Sequence, residues 1–188
     1  MRKLTTPLDE ATVLSLRAGD EVLLSGTVYT ARDAAHLRML ECLRRGEPLP
    51  FEPEGQVIYY AGPTPTPEGR PIGSIGPTTS TRMDAATPTL LALGLRGMIG
   101  KGQRGPAVAA AMREHPAVYF VAVGGAAALM ADCVTACEVI AWDDLGPESV
   151  KRLMLRDLPL TVALDAYGGD AFTLGREAWL RAQGSQND

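Results

Sequence analysis

The stretch that decides the fold class is Gly97-Met-Ile-Gly-Lys-Gly-Gln-Arg-Gly-Pro106, continued by Ala117-Val-Tyr-Phe-Val-Ala-Val123. The pattern predicts a short strand over 97–100, a turn over Lys101-Gly-Gln-Arg-Gly105 and a helix starting at Pro106. A second strand follows over 117–123. Proline suits a first helical position because the N–H it lacks would have no intrahelical partner there. Strand, turn, helix and strand in succession form the unit of an α/β sheet. The alternation continues outward. Upstream, a helix is predicted from Met83 to Leu95. Downstream, the second strand runs into Gly124-Gly125 and an alanine-rich helix. Cys137-Glu-Val-Ile-Ala-Trp142 then reads as a strand, Pro147 as a helix opener, and Leu160-Thr-Val-Ala-Leu-Asp165 as a returning strand.

The N-terminal third is less regular. Asp20-Glu-Val-Leu-Leu-Ser-Gly-Thr-Val-Tyr29 alternates apolar and polar residues, as a half-buried strand does. From Thr30 to Gly46 the signals are helical: Thr30 as a cap, Asp33 in the first turn, Arg44 and Arg45 in the last, and Gly46 as the stop. Pro48, Pro50 and Pro53 break regular structure beyond that helix. Val57-Ile-Tyr-Tyr-Ala61 reads as a strand, and Gly62 to Gly76 as a long loop of the kind that often carries function. The expectation is one α/β domain over residues 1–188. A β-rich N-terminal layer precedes its alternating part, and residues 183–188 form a frayed tail.

Bulk properties exclude several function classes. With 188 residues, 46% of them hydrophobic, the chain can bury a sizeable core. A net charge of −4 argues against a basic nucleic-acid face. The longest apolar run, 117–131, is too short to span a bilayer and is broken by glycines. No targeting signal is read at the N-terminus, and the chain is expected in the cytoplasm. Three cysteines, Cys42, Cys133 and Cys137, cannot all pair, which agrees with a reducing compartment. Cys133 and Cys137 are spaced one helical turn apart. Two thiolates do not complete a cluster or zinc site, so they read as buried structural thiols.

Three glycine-rich polar segments adjoin predicted strand ends: Gly76-Pro-Thr-Thr-Ser-Thr-Arg-Met-Asp84, Lys101-Gly-Gln-Arg-Gly105 and Gly124-Gly-Ala-Ala-Ala128. Ligands of α/β sheets collect at such ends. Four hydroxyls before a predicted helix, the fork of Arg82 and the point charge of Lys101 together describe an anion site. The residues alone leave a second account open, in which Ser80 or Thr81 caps a helix and Arg82 is a solvated charge. Asp84 reads as a cap or an arginine partner, with support of Arg82 as its functional role. His36 reads as orienting Arg32 or satisfying local backbone. His115, before Pro116, reads as surface. Asp143 and Asp144 read as solvated residues at the start of a helix, since adjacent carboxylates on a strand end point apart.

Ile58-Tyr-Tyr-Ala-Gly-Pro63 and Ile72-Gly-Ser-Ile-Gly-Pro-Thr-Thr-Ser-Thr-Arg-Met-Asp84 resemble the beta region of the class I (iron–sulfur) fumarate hydratases and L(+)-tartrate dehydratases. So do Gly26-Thr-Val-Tyr-Thr-Ala-Arg-Asp-Ala-Ala-His36, Gly100-Lys-Gly102, Gly124-Gly-Ala-Ala-Ala-Leu129 and Trp142-Asp-Asp-Leu-Gly-Pro-Glu-Ser149. The resemblance runs from about Leu4 to Phe172, in the family's order. It implies a swivelling β/β/α-type domain and a hydro-lyase that interconverts fumarate and malate or dehydrates tartrate. It implies a [4Fe-4S] cluster held by a separate alpha subunit, with one iron acting as a Lewis acid on the leaving hydroxyl. The assembly implied is a dimer of alpha–beta heterodimers, inactive without the alpha chain. By the same resemblance Arg32, Arg82 and Lys101 bind the dicarboxylate, and Thr78 stands near the carbon that loses its proton, with Thr79 as the adjacent candidate. Fumarate and tartrate stay undivided. A free-standing dicarboxylate-binding module is the alternative from another class. A nucleotide-binding domain is disfavoured, because no phosphate-binding glycine fingerprint is present.

Overall fold

The computed structural model describes residues 1–122 and 127–184. Its strands are β1 (Arg2–Thr5), β2 (Glu21–Thr30), β3 (Val57–Tyr59), β4 (Gly97–Gly100), β5 (Val118–Val121), β6 (Val134–Ala141) and β7 (Val150–Leu164). Its helices are α1 (Glu10–Leu14), α2 (Asp33–Arg45), α3 (Thr87–Ala92), α4 (Pro106–Glu114), α5 (Ala127–Asp132) and α6 (Ala171–Gly184). Two 3₁₀ turns, Ser80–Met83 and Asp143–Glu148, complete the set.

All seven strands share one sheet, in the order β1-β2-β3-β4-β5-β7-β6. β1 to β5 run parallel to their neighbours. β7 is antiparallel to β5, β6 and β2. Its pairing with β2, from Thr161 opposite Glu21 to Lys151 opposite Thr30, closes β2-β3-β4-β5-β7 into a barrel-like ring. β7 spans both halves of that ring. Its start pairs β6 on one edge and its end pairs β5, while β2 lies along the other edge throughout.

Side chains alternate across this ring, and each face has its own core. Val22, Leu24, Val57, Tyr59, Ile99, Val118, Phe120, Leu158, Leu160 and Val162 point inward and are buried. Ile58, Tyr60, Met98 and Tyr119 point outward, under Ala35 and Met39 of α2, Leu90 and Leu91 of α3, and Val108 and Met112 of α4. That explains the continuous apolar run of β3: its strand is covered on both faces, as parallel strands usually are. Tyr29 continues the outer layer by stacking on Phe51, with ring centroids 4.0 Å apart.

Several expectations need correction. The N-terminal strands do not make a separate layer; β1 and β2 belong to the same sheet, and β2 is a seam of the ring. Thr30 does not cap α2. It ends β2, and Arg32 holds the cap position without a side-chain bond. The helix expected over Met83–Leu95 is a 3₁₀ turn followed by the shorter α3. Pro147 opens no helix: it lies inside the 3₁₀ turn, and the chain re-enters the sheet at Val150. Asp143 and Asp144 are exposed as expected, but they enter this turn and not a helix, and Asp144 is ion-paired with Arg38. Cys137 lies in β6 and Cys133 just before it, so the two are not on a helix. The Gly124-Gly125 turn and the end of the expected tail lie outside the described residues.

Candidate active site

Parallel strands present their C-terminal ends at one rim, and the sequence places polar segments at three of those ends. Arg32 follows β2, Gly62 follows β3 and Lys101 follows β4. The loop after Gly62 returns across the rim. Pro77 bridges Ala61, the Thr78 amide donates to the Tyr60 carbonyl at 2.7 Å, and Thr79 bridges Lys101 in parallel register. The Lys101 amide donates to the Thr78 carbonyl at 3.3 Å, and the Ser80 amide to the Lys101 carbonyl at 3.1 Å. Thr78 and Lys101 are therefore neighbours on one short piece of sheet, with Lys101 and Thr79 exposed and Thr78 half-buried.

A buried network fixes this wall from below. Ser80 is fully buried, and its Oγ accepts the Lys101 amide at 3.1 Å. The Tyr119 hydroxyl donates to the Gly102 carbonyl at 2.8 Å and lies 2.9 Å from Ser80 Oγ. Burial pushes that hydroxyl's pKa up to about 12, so it keeps its proton. Gly100 has no space for a side chain, because a Cβ there would overlap Ser80 Oγ. Beneath lies Arg104, whose side chain is 0% exposed. Its Nε donates to Asp84 Oδ1 at 2.7 Å and its Nη2 to Thr87 Oγ1 at 2.7 Å. The guanidinium sits between the rings of Tyr60 and Tyr119, 5.2 and 5.1 Å from their centroids. Asp84 Oδ2 accepts the Gly105 amide at 2.7 Å. Asp84 is thus an arginine partner, as read from sequence, but its arginine is Arg104 and not Arg82.

Arg82 instead lies 3.5 Å from Asp33, the neighbour of Arg32, with its side chain 55% exposed. Neither Ser80 nor Thr81 caps a helix by its side chain; the element is a single 3₁₀ turn with Thr79 at its cap position. The helix expected directly after these hydroxyls is therefore absent, and the positive character of the segment rests on side chains. Arg32 is held from the other direction. Its Nη2 is 3.3 Å from Glu148 Oε1, and its Nε is buried without a hydrogen-bond partner among the described residues.

His36 lies behind Arg32, one turn along α2, and is buried. Its Nδ1 is 2.9 Å from the Arg32 carbonyl, which can only accept, so Nδ1 carries the proton. Nε2 is buried without a partner among the described residues. Burial, more than any neighbouring charge, lowers this imidazole's pKa to about 4. His36 is a neutral support for the backbone of Arg32 near neutral pH.

Cys133 and Cys137 have thiols pushed up by burial, the reverse of what a thiolate ligand needs. Among the described residues no three His, Cys, Asp or Glu side chains gather as a metal site, and the cysteines here do not fit an iron–sulfur cluster. No helix among them is long and apolar enough to cross a membrane. Arg104 and Glu148 were not singled out from sequence as site residues, and Ser80 was read as an anion-site hydroxyl or a cap where it is a buried support of the Lys101 backbone. Arg104 and Ser80 sit inside glycine- and hydroxyl-rich segments that were singled out, but nothing in their spacing marks which side chain turns inward.

Fold and rim together define a single mixed α/β domain with a closed sheet and a cationic, hydroxyl-bearing site at its parallel strand ends. The Fumarase C-terminus family matches residues 2–175, and the chain belongs to that family. It is 37% identical over 171 residues to a Methanocaldococcus jannaschii protein provisionally named L(+)-tartrate dehydratase subunit beta, covering 88% of each chain. It is 38% identical over 151 residues to the aerobic class I fumarate hydratase of Escherichia coli K12, covering 79% of this chain. It is 38% identical over 157 residues to fumarate hydratase 2 of Leishmania major, covering 82% of this chain. The chain spans only 28% of the length of each of these two fumarate hydratases. The family is one of hydro-lyases.

Proposed function

We propose that this chain is the beta component of a hydro-lyase that adds water to fumarate or dehydrates L-tartrate. The observation that carries the reading is the gathering of Arg32, Thr78 and Lys101 at neighbouring parallel strand ends, with Arg82 tethered beside Arg32 through Asp33. A dianionic substrate needs at least two cationic partners, and this rim offers three. Arg32 and Arg82 hold its carboxylates by charge-assisted hydrogen bonds, and Lys101 completes the positive wall. The Arg32 side chain is 24% exposed at this rim. Among the described residues Arg82 is held by one long, exposed ion pair, which binding can exchange at little cost.

Thr78 is the proton-transfer residue of this reading, with Thr79 next to it. A threonine hydroxyl is a weak base at its ordinary pKa and needs a partner group to activate it. That group, and the ligands of a [4Fe-4S] cluster, belong to a separate alpha chain. The relative of matching length is named as a beta subunit, which supports a partner. The complete enzyme is then a cytoplasmic dimer of alpha–beta heterodimers. In it the beta chain, a swivelling β/β/α-type domain, closes its rim over the alpha chain.

The test is hydratase activity measured without oxygen on fumarate, malate and L-tartrate, for this chain alone and mixed with its alpha chain. Activity only in the mixture is expected, and the preferred substrate names the enzyme. No activity in the mixture, with the alpha chain's cluster intact, would overturn this reading in favour of a dicarboxylate-binding module or a substrate outside this set.

A further inference from the structure

Lys151 is 7% exposed, and no carboxylate lies in ion-pair range of it among the described residues. A buried ammonium without a counter-ion is costly unless its donors are satisfied. Its Nζ donates to Ser149 Oγ at 2.6 Å and to the carbonyls of Gly146, Pro147 and Ser149 at 3.0, 3.3 and 3.4 Å. These oxygens all belong to the turn that precedes β7. The Lys151 amide donates to Thr30 Oγ1 at 3.1 Å, and Thr30 Oγ1 donates to the Ser149 carbonyl at 3.3 Å. The turn is thereby fastened to the end of β2, two residues before Arg32.

From this turn Glu148 reaches the start of α2. Its Oε2 accepts the Ala34 amide at 3.0 Å, while Oε1 faces Arg32 Nη2. Gly62 closes the third side. A Cβ there would lie 3.1 Å from Arg32 Nη1, 3.2 Å from its Cδ and 2.9 Å from the Pro147 carbonyl. Only glycine lets the end of β3 approach both the arginine and the turn.

We infer that Glu148 is a positioning residue that holds the Arg32 guanidinium in its ligand-binding orientation, with Lys151 fixing the turn that presents it. The inference rests on the reading of Arg32 as a carboxylate-binding group. An arginine held from behind loses less side-chain freedom when a ligand carboxylate arrives, so the effect falls on binding more than on chemistry.

Two readouts test this. The first uses this chain alone: phenylglyoxal modification, followed peptide by peptide, of Arg32 and Arg82 in the same sample. Glu148→Gln should speed modification of Arg32 several-fold and leave Arg82 unchanged, and Glu148→Asp should largely restore the slow rate. The second uses the mixture with the alpha chain. There Glu148→Gln should raise KM about tenfold, the size of one charge-assisted hydrogen bond, with kcat nearly kept. Equal Arg32 rates in the wild type and Glu148→Gln would overturn the inference, as would faster modification with an unchanged KM. Lys151→Met should give the same pattern; should it fail to fold, Glu148→Gln decides alone. If the wild-type mixture is inactive, the functional reading falls while the modification rates still decide the role of Glu148.

Discussion

On one side of the rim, Thr78 and Lys101 rest on Arg104, a cation with no exposed side-chain surface, tied to Asp84, Thr87 and two tyrosine rings. On the other side, Arg32 rests on Glu148 in an ion pair whose side chains are 24% and 26% exposed. The first wall is backbone held by a buried cation. The second is a side chain held by a half-exposed carboxylate. Removing one partner of a buried, hydrogen-bonded pair strands the other charge, whereas a pair open to water has solvent to replace it. Stability therefore concentrates under the Thr78–Lys101 wall and adjustability at the Arg32 wall. On the proposed function, that division would place a proton-transfer hydroxyl firmly and still admit a substrate carboxylate.

Arg104→Met should sharpen this contrast most. It removes the donors to Asp84 Oδ1 and Thr87 Oγ1, while Asp84 Oδ2 keeps the Gly105 amide, and should cost about 2–3 kcal/mol in urea unfolding, against less than about 1 kcal/mol for Glu148→Gln. Equal losses in the two variants would erase the distinction. Thr78→Ala, in the mixture with the alpha chain, should lower kcat by about 10²-fold or more while KM moves little, because a lost proton-transfer group acts on the reacting step. A change confined to KM would move the role to Thr79 or to the partner.

A third prediction concerns pH. The folded pKa of His36, about 4, lies below the ordinary value of 6.5. Between these values the unfolded chain binds the extra proton, so stability falls as pH drops below 6.5 and the loss is complete below 4. The cost reaches roughly 3 kcal/mol at most. Measured unfolding curves for the wild type and His36→Phe should therefore diverge in slope across that window and run parallel above pH 7. Parallel curves throughout would show that His36 is not a buried neutral support of Arg32.

Much of the parallel half of the ring was legible. The doubly covered runs of β3 and β5 and the proline start of α4 leave few alternatives. Closure of the ring was not. Val150–Leu164 hides its alternation behind the buried Lys151 and the 44% exposed Met154, and Gly146-Pro147 satisfies a 3₁₀ turn as readily as a helix start. The same blindness applied to the site. Thr78, Arg82 and Lys101 stand out because they crowd glycine-rich strand ends, whereas Arg32 is marked only by the family resemblance of its segment. Glu148 meets α2 only because β7 returns along β2, 114 residues after Ala34, and no local pattern carries that contact. Asp84 shows the converse: its need for an arginine was readable, but the sequence pointed to nearby Arg82, and the packing of Tyr60 and Tyr119 selects Arg104, 20 residues away.

The central claim is that the rim arginines clamp a dicarboxylate. It is tested most directly by kcat/KM for Arg32→Ala and Arg82→Ala in the mixture with the alpha chain, alongside the unfolding midpoint of each variant. The account predicts a fall of about 10²-fold or more in each, the loss of a carboxylate's charge-assisted pair, with the midpoint of unfolding nearly unchanged. Near-normal kcat/KM in both variants would contradict it.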